Sequence, residues 1–332
     1  MKKVCVLGAG SWGTALAMVL SENSEEVILW TRNEKQKDEI NLDRKNEKYL
    51  KGVEIPSNIK ATTDIKDAIE NSEIIVLGVP SQAIRSICAI IKPYINESQI
   101  IVNSAKGLEK ETGLRMSEVV LEEIPNAKYS VLSGPSHAEE VAKKLPTVVA
   151  VSSVKSKDNI SQVVQDAFMT EYFRVYTNDD LVGVELGGTI KNIIALGCGI
   201  CDGLGYGDNA RSALITRGLY EMKSFGVSLG AKESTFNGLS GIGDLIATCT
   251  SKHSRNSRAG YLIGTGCTKE EAVEKVEMVV EGITAVESVY IKSRRLNKEF
   301  PILEALYSVL FEDKKAKEAL MSLMNRNKKS EY

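Results

Sequence analysis

The sequence predicts an α/β protein, with a doubly wound, mainly parallel sheet over residues 1–180 and an all-helical domain over residues 181–332. Three observations carry this. Short β-branched runs alternate with helical patterns through the first 180 residues, and a glycine-rich turn joins the first run to a helix. Beyond Asp180 the runs give way to long 3.6-residue periodicities. The length of 332 residues, 43% of them hydrophobic, is enough for about two domains, each with its own core.

The extended runs are Val4–Leu7, Val27–Trp30, Ile74–Val79, Ile100–Asn103, Tyr129–Leu132, Thr147–Val151 and Phe173–Tyr176. Most are continuously apolar, as strands are when helices cover both faces of the sheet. Thr14–Leu20 and Ser81–Ile91 are helical candidates between them, and right-handed crossovers limit the topology to a few forms. In the second domain Ile302, Ala305, Leu306, Val309 and Leu310 mark one helix, started by Pro301. Ala316, Ala319, Leu320, Leu323 and Met324 mark another. The Lys/Arg-rich tail from Lys314 to Lys329 reads as a solvated helix face that frays at its end.

Composition narrows the function. With 42 basic and 44 acidic side chains the net charge is −2, which leaves no electrostatic footprint for nucleic acid. No apolar run approaches the roughly 20 residues of a membrane helix, so no membrane insertion is expected. Lys2-Lys3, an apolar stretch and Ala15-Leu16-Ala17 have the outline of a signal peptide. Gly8, Gly10, Ser11 and Gly13 interrupt it, and a strand, turn and helix account for every residue. Six cysteines are too sparse for a disulfide scaffold, and only Cys198-Gly199-Ile200-Cys201 forms a CxxC. His137 and His253 are the sole histidines, so no metal is expected and the thiols read as buried and reduced, in a cytoplasmic protein.

The chain opens with Val4-Cys5-Val6-Leu7, then Gly8-Ala9-Gly10-Ser11-Trp12-Gly13 and a helical stretch, the context a Rossmann-like dinucleotide fingerprint requires. Gly8 makes the tight turn, Gly10 lets backbone approach a pyrophosphate, and Gly13 lets helix pack on strand. The second strand ends in Leu29-Trp30-Thr31-Arg32, where NAD-specific folds usually place a carboxylate. The Arg32 guanidinium pairs instead with a 2′-phosphate, so NADPH is the expected cofactor, with NADH possible.

Further segments point to a substrate. Lys106 follows the strand Ile100–Asn103, in the crevice beyond the carboxyl ends of the strands, and Ser133-Gly134-Pro135-Ser136-His137-Ala138 follows the next. Lys191 sits among apolar residues in Gly187–Ile194, where desolvation makes an ammonium a proton donor near neutral pH; snorkelling to water is the alternative. Asp244, between glycines, is either a helix cap or the partner that orients this lysine. Ser254-Arg255-Asn256, before a helix, is either a phosphate cradle or a solvated basic loop.

Taken in order, these segments, together with Val280-Glu281-Gly282, closely resemble the bacterial NAD(P)-dependent sn-glycerol-3-phosphate dehydrogenases nearly end to end. The resemblance implies that Ser11, Trp12, Arg32, Lys106, Ala138, Arg255, Val279 and Glu281 contact the nicotinamide cofactor. It implies that Lys106, Gly134, Ser136, Asp244, Ser254, Arg255 and Asn256 contact glycerol phosphate, with Lys191 as the catalytic base. The implied reaction is reversible reduction of dihydroxyacetone phosphate to sn-glycerol 3-phosphate for glycerophospholipid synthesis, by a homodimer. Tyr49-Leu50-Lys51-Gly52 departs from the family, whose members commonly carry proline before that glycine. Two other readings stand beside this one: a related Rossmann-plus-helical hydroxyacid dehydrogenase, and a catalytically silent NADPH-binding sensor.

Overall fold

The computed structural model describes residues 1–155, 158–328 and 330–331. The first part runs β1 (Lys3–Leu7), α1 (Ser11–Ser21), β2 (Glu26–Trp30), α2 (Glu34–Asp38), β3 (Ile59–Thr62), α3 (Ile65–Ile69), β4 (Ile74–Leu77), α4 (Ile84–Ile91), β5 (Ile100–Asn103), α5 (Met116–Glu123), β6 (Lys128–Ser133), α6 (Ala138–Val141), β7 (Thr147–Ser153), α7 (Ile160–Phe168) and β8 (Phe173–Thr177). Helices then follow one another: α8 (Leu181–Gly203), α9 (Asp208–Ser228), α10 (Asp244–Thr250), α11 (Arg255–Gly264), α12 (Lys269–Val276), α13 (Glu281–Ser293), α14 (Pro301–Phe311) and α15 (Ala316–Met324).

The strands form a sheet in the order β3-β2-β1-β4-β5-β6-β7-β8, parallel except between β6 and β7. Successive residues of β1 enter opposite apolar layers, Val4 and Val6 on one face and Cys5 and Leu7 on the other. Both faces are covered, which is why the runs show no alternation. The strand order reverses at β1, so a crevice opens beyond the carboxyl ends of β1 and β4, where such folds bind ligands.

Several expectations need correction. The sheet has an eighth strand, β3, because Ile59-Lys60-Ala61-Thr62 is a short, half-polar edge strand with Lys60 exposed. The Asn41 amide closes the free backbone of Ala61, donating to its carbonyl at 2.9 Å and accepting from its N–H at 2.8 Å, which protects that edge. The fourth strand ends at Leu77 rather than Val79, since Gly78 lies against the first glycine turn. The first helix begins at Ser11, with Gly10 as its N-cap, and Ser81–Ala83 is a 3₁₀ turn ahead of α4. In α15 only Ala319 is buried; Lys329, at the end of the basic tail, lies outside the described residues.

The absence of a membrane-length apolar stretch is also corrected: the 23-residue α8 is long and apolar enough to cross a membrane. Its composition has another cause. Packed by α9, α10, α11, α13, α14 and β6, it is buried continuously from Gly183 to Cys201. Cys198 and Cys201 lie within it as free thiols, and burial pushes Cys201 up to about 11. A Cβ on Gly199 would lie 2.0 Å from the Ser257 carbonyl, so glycine lets α11 press onto the α8 backbone. One buried carboxylate ties α8 to the sheet: Glu185 accepts from Arg115 Nη1 (2.8 Å), Ser117 N and Oγ (2.8 and 2.7 Å) and the Tyr129 hydroxyl (2.8 Å).

Candidate active site

The glycine turn lies at the crevice. Gly8 has φ +117°, and a Cβ there would meet the Gly78 carbonyl at 2.7 Å; a Cβ on Gly13 would lie 1.8 Å from the Gly8 carbonyl. Both positions therefore admit only glycine without a shift of the turn. Gly10 differs: nothing lies within 4 Å of its missing Cβ, and no side chain caps the first turn of α1. Uncapped N–H groups at a helix N-terminus beside open space fit a pyrophosphate. Trp12 is half-buried, and Arg32 is exposed two residues past the end of β2. Ala138 starts the one-turn helix α6 and is buried.

The other side of the crevice is built around Asp244, the first residue of α10, which is 1% exposed. Lys106, just past β5, donates to its Oδ2 at 2.7 Å and to the Gly134 carbonyl at 3.1 Å. Lys191, on α8 and 6% exposed, donates to Oδ1 of the same carboxylate and to Thr248 Oγ1 at 2.8 Å. Two lysines from distant parts of the sequence thus share one carboxylate. Asp244 is the lysine's partner, and Lys191 does not snorkel. Gly134 has φ +145°, and its carbonyl also accepts from the Ser136 hydroxyl at 2.9 Å, so the turn after β6 is folded around Lys106.

Electrostatics follow from this packing. Burial pushes Asp244 up, but the Lys106 and Lys191 ammoniums outweigh it and hold the carboxyl below its ordinary range. Burial pushes Lys191 down; the Asp244 carboxylate opposes it and the Lys106 ammonium adds to it, leaving Lys191 at about 8. One carboxylate against two ammoniums leaves a net positive charge in a dry place, a setting for an anionic ligand and for a developing alkoxide.

A second group completes this wall. Ser254 caps α11 by accepting from Ser257 N at 3.2 Å, and Arg255 is exposed at the first position of that helix. Asn256 is buried; it donates to Asn192 Oδ1 at 2.8 Å and accepts from Gly282 N at 2.9 Å. Asn192 in turn donates to Glu281 Oε2 at 3.4 Å. Burial raises Glu281 against the pull of Arg255, Lys106 and Lys191. Val279 is exposed just ahead of α13. The rings of His137 and His253, which adjoin Ser136 and Ser254, come within 5.9 Å, so the two turns meet.

The match to family models is decisive. The description "NAD-dependent glycerol-3-phosphate dehydrogenase N-terminus" matches residues 3–159, and the corresponding C-terminus residues 180–321. The chain belongs to the NAD-dependent glycerol-3-phosphate dehydrogenase family. It is 51% identical to the glycerol-3-phosphate dehydrogenase [NAD(P)+] of Clostridium perfringens, over all of this chain and 99% of that protein. It is 53% identical to that of a Thermoanaerobacter species, over 99% of this chain and 98% of that protein. The crystal structure of glycerol-3-phosphate dehydrogenase from Coxiella burnetii superposes with a TM-score of 0.93 at 39% identity, covering 98% of this chain and 99% of that one. As a member of this family the chain is an NAD(P)-dependent oxidoreductase with a small-molecule substrate.

Sequence reasoning missed several polar residues of the site. Thr248 carried a signal, since it lies one helical turn after Asp244 and therefore on the same face of α10. Gln36 and Asn46 did not: Gln36 sits in the five-residue α2, which has no buried face, and Asn46 in the long connection that follows it.

Proposed function

We propose that this enzyme interconverts dihydroxyacetone phosphate and sn-glycerol 3-phosphate in the cytoplasm as a homodimer, with NADPH preferred, supplying the glycerophospholipid backbone. Residues 1–180 hold the dinucleotide, through Gly8, Gly10, Ser11, Trp12, Gly13, Arg32 and Ala138. Residues 181–332 supply most of the substrate wall, and Val279, Glu281 and Arg255 complete the cofactor site. When bound, the nicotinamide supplies the hydride that reaches the carbonyl carbon. Lys191 gives its proton to the carbonyl oxygen and becomes a neutral amine; in the reverse direction it takes the hydroxyl proton back. Asp244 aims the ammonium, Lys106 and Ser136 orient the substrate oxygens, and Arg255, with Ser254 and Asn256, clamps the phosphate.

One observation carries this reading: a buried lysine paired with Asp244 and Thr248, beyond the carboxyl ends of the strands, where burial pushes it below the ordinary lysine range. A general acid near its working pH is what ketone reduction needs. The test follows NADPH absorbance with dihydroxyacetone phosphate. The native enzyme should oxidise NADPH, and Lys191→Ala should lose about 10²–10⁴-fold in kcat while still binding NADPH. Turnover unchanged in Lys191→Ala, or no NADPH consumption by the native enzyme, would sink it.

A further inference from the structure

The stretch from α2 to β3 makes contacts that neither the fold nor the chemistry accounts for. Asn46 is 1% exposed, and its amide donates to the Ala9 carbonyl at 3.0 Å and to Thr14 Oγ1 at 2.8 Å. Gln36 donates to the same Ala9 carbonyl at 2.7 Å and to Asn46 Oδ1 at 3.1 Å. Its own Oε1 accepts from the Thr31 hydroxyl at 2.5 Å. Three residues past Asn46, the Tyr49 carbonyl accepts from the Ser11 hydroxyl at 2.8 Å.

These bonds form one chain. It starts at Thr31, the residue before Arg32, passes through Gln36 and Asn46, and ends inside Gly8–Gly13 and the first turn of α1. Both amides are oriented without ambiguity, because each oxygen accepts from a donor and each nitrogen faces a carbonyl or hydroxyl. The Ala9 carbonyl takes two side-chain donors, which fixes the peptide plane between Ala9 and Gly10. That peptide leads into Gly10, the one glycine of the turn whose missing Cβ faces open space.

We propose that Gln36 and Asn46 are positioning residues for the dinucleotide: they lock the glycine turn to the end of β2, so that the pyrophosphate cradle is formed before the cofactor arrives. This rests on the reading of Gly8–Gly13 as the cofactor site. Preorganisation of this kind raises affinity by removing the ordering cost from the binding step. Because the lock acts on the turn, it serves the pyrophosphate common to NADPH and NADH.

Gln36→Ala is the test variant, since Gln36 is half-buried and its loss leaves the core intact. Steady-state kinetics with each nucleotide and with dihydroxyacetone phosphate are measured beside a thermal melt. We expect KM for NADPH and for NADH to rise by a similar factor of about ten, with kcat and KM for dihydroxyacetone phosphate within about twofold of native. Gln36→Met keeps the length of the side chain and its neutrality but offers no amide to Ala9, so it should behave like Gln36→Ala; a space-filling role predicts near-native behaviour there. A fall in kcat with unchanged nucleotide KM means lost folded enzyme, and overturns the proposal. A rise confined to NADPH overturns it as well, because the effect would then lie at the 2′-phosphate. Gly10→Val separates the proposal from its foundation. If that variant also leaves nucleotide KM unchanged, the cofactor reading of the turn fails; if it raises KM and Gln36→Ala does not, the lock alone fails.

Discussion

Replacing Asp244 by Asn removes one charge and almost no volume, and the two lysines it bridges then face each other uncompensated. Two unit charges about 4 Å apart interact by about 4 kcal/mol at an effective dielectric of 20, equivalent to about three pKa units. Relaxation and the acceptor that Asn retains reduce this, and opposite charges at such range typically move a pKa by about 1–3 units. The sign is fixed: the carboxylate favours the charged lysine, so its removal lowers Lys191 below about 8. Reduction needs the ammonium, so its rate in the native enzyme falls as pH rises through about 8, and oxidation climbs over the same interval. In Asp244→Asn both limbs should move acidward by about 1–3 units. The assay is the pH profile of kcat/KM in each direction above about pH 6, where the substrate phosphate is ionised, and the readout is the departure of the limb near 8 toward or past the acidic end of that window. A limb that stays near 8 in this variant would show that Asp244 does not set the titration, or that Lys191 is not the group being read.

The remaining predictions address other parts of the molecule. Arg32→Asp should reverse the NADPH preference, because a carboxylate repels the 2′-phosphate and accepts from a ribose hydroxyl; an unchanged ratio of kcat/KM for NADPH and NADH contradicts the assignment. Arg255→Ala should raise KM for both dihydroxyacetone phosphate and NADPH, and a loss confined to kcat argues against the phosphate clamp. Glu221 accepts from the backbone N–H groups of Ile302 (2.8 Å) and Leu303 (3.3 Å) at the start of α14, and burial raises its pKa to about 7. Between pH 4.5 and 7 the folded protein keeps a proton that the unfolded chain has released, so stability falls with rising pH by up to about 3 kcal/mol. Glu221→Gln should flatten that slope in denaturant melts, and an unchanged slope would remove Glu221 as its source.

The parts of the fold legible in sequence are those with a local cause. β1, the glycine turn and α1 were readable because strand, turn and helix N-terminus each leave a mark within a few residues. β3 was not, because an edge strand closed by the Asn41 side chain needs neither a continuous apolar run nor β-branched residues at every position. The 23-residue length of α8 escaped notice for a related reason: Glu185 and Lys191 interrupt its apolar character, and both charges are satisfied by partners from elsewhere, Arg115 and Asp244.

The site shows the same division. Each of Lys106, Lys191 and Asp244 could be singled out, since a charged side chain among apolar residues or at a strand end is locally odd. The pairing of Asp244 with Lys191 stood as one of two readings, but the sharing of that carboxylate with Lys106 was not legible, because Lys106 and Asp244 are 138 residues apart and meet only once the helical domain packs against the sheet. That union changes the chemistry of each member. A lysine alone in an apolar helix would lose its proton to burial, and an aspartate alone there would gain one. Placed together with a second ammonium, the carboxylate keeps its charge and the buried lysine is held at about 8 instead of lower. The charge state of Lys191 therefore belongs to the packing between the two halves of the chain. Glu185 anchors α8 to β6 without belonging to this charged group, so a substitution there perturbs that packing without touching the three charges themselves.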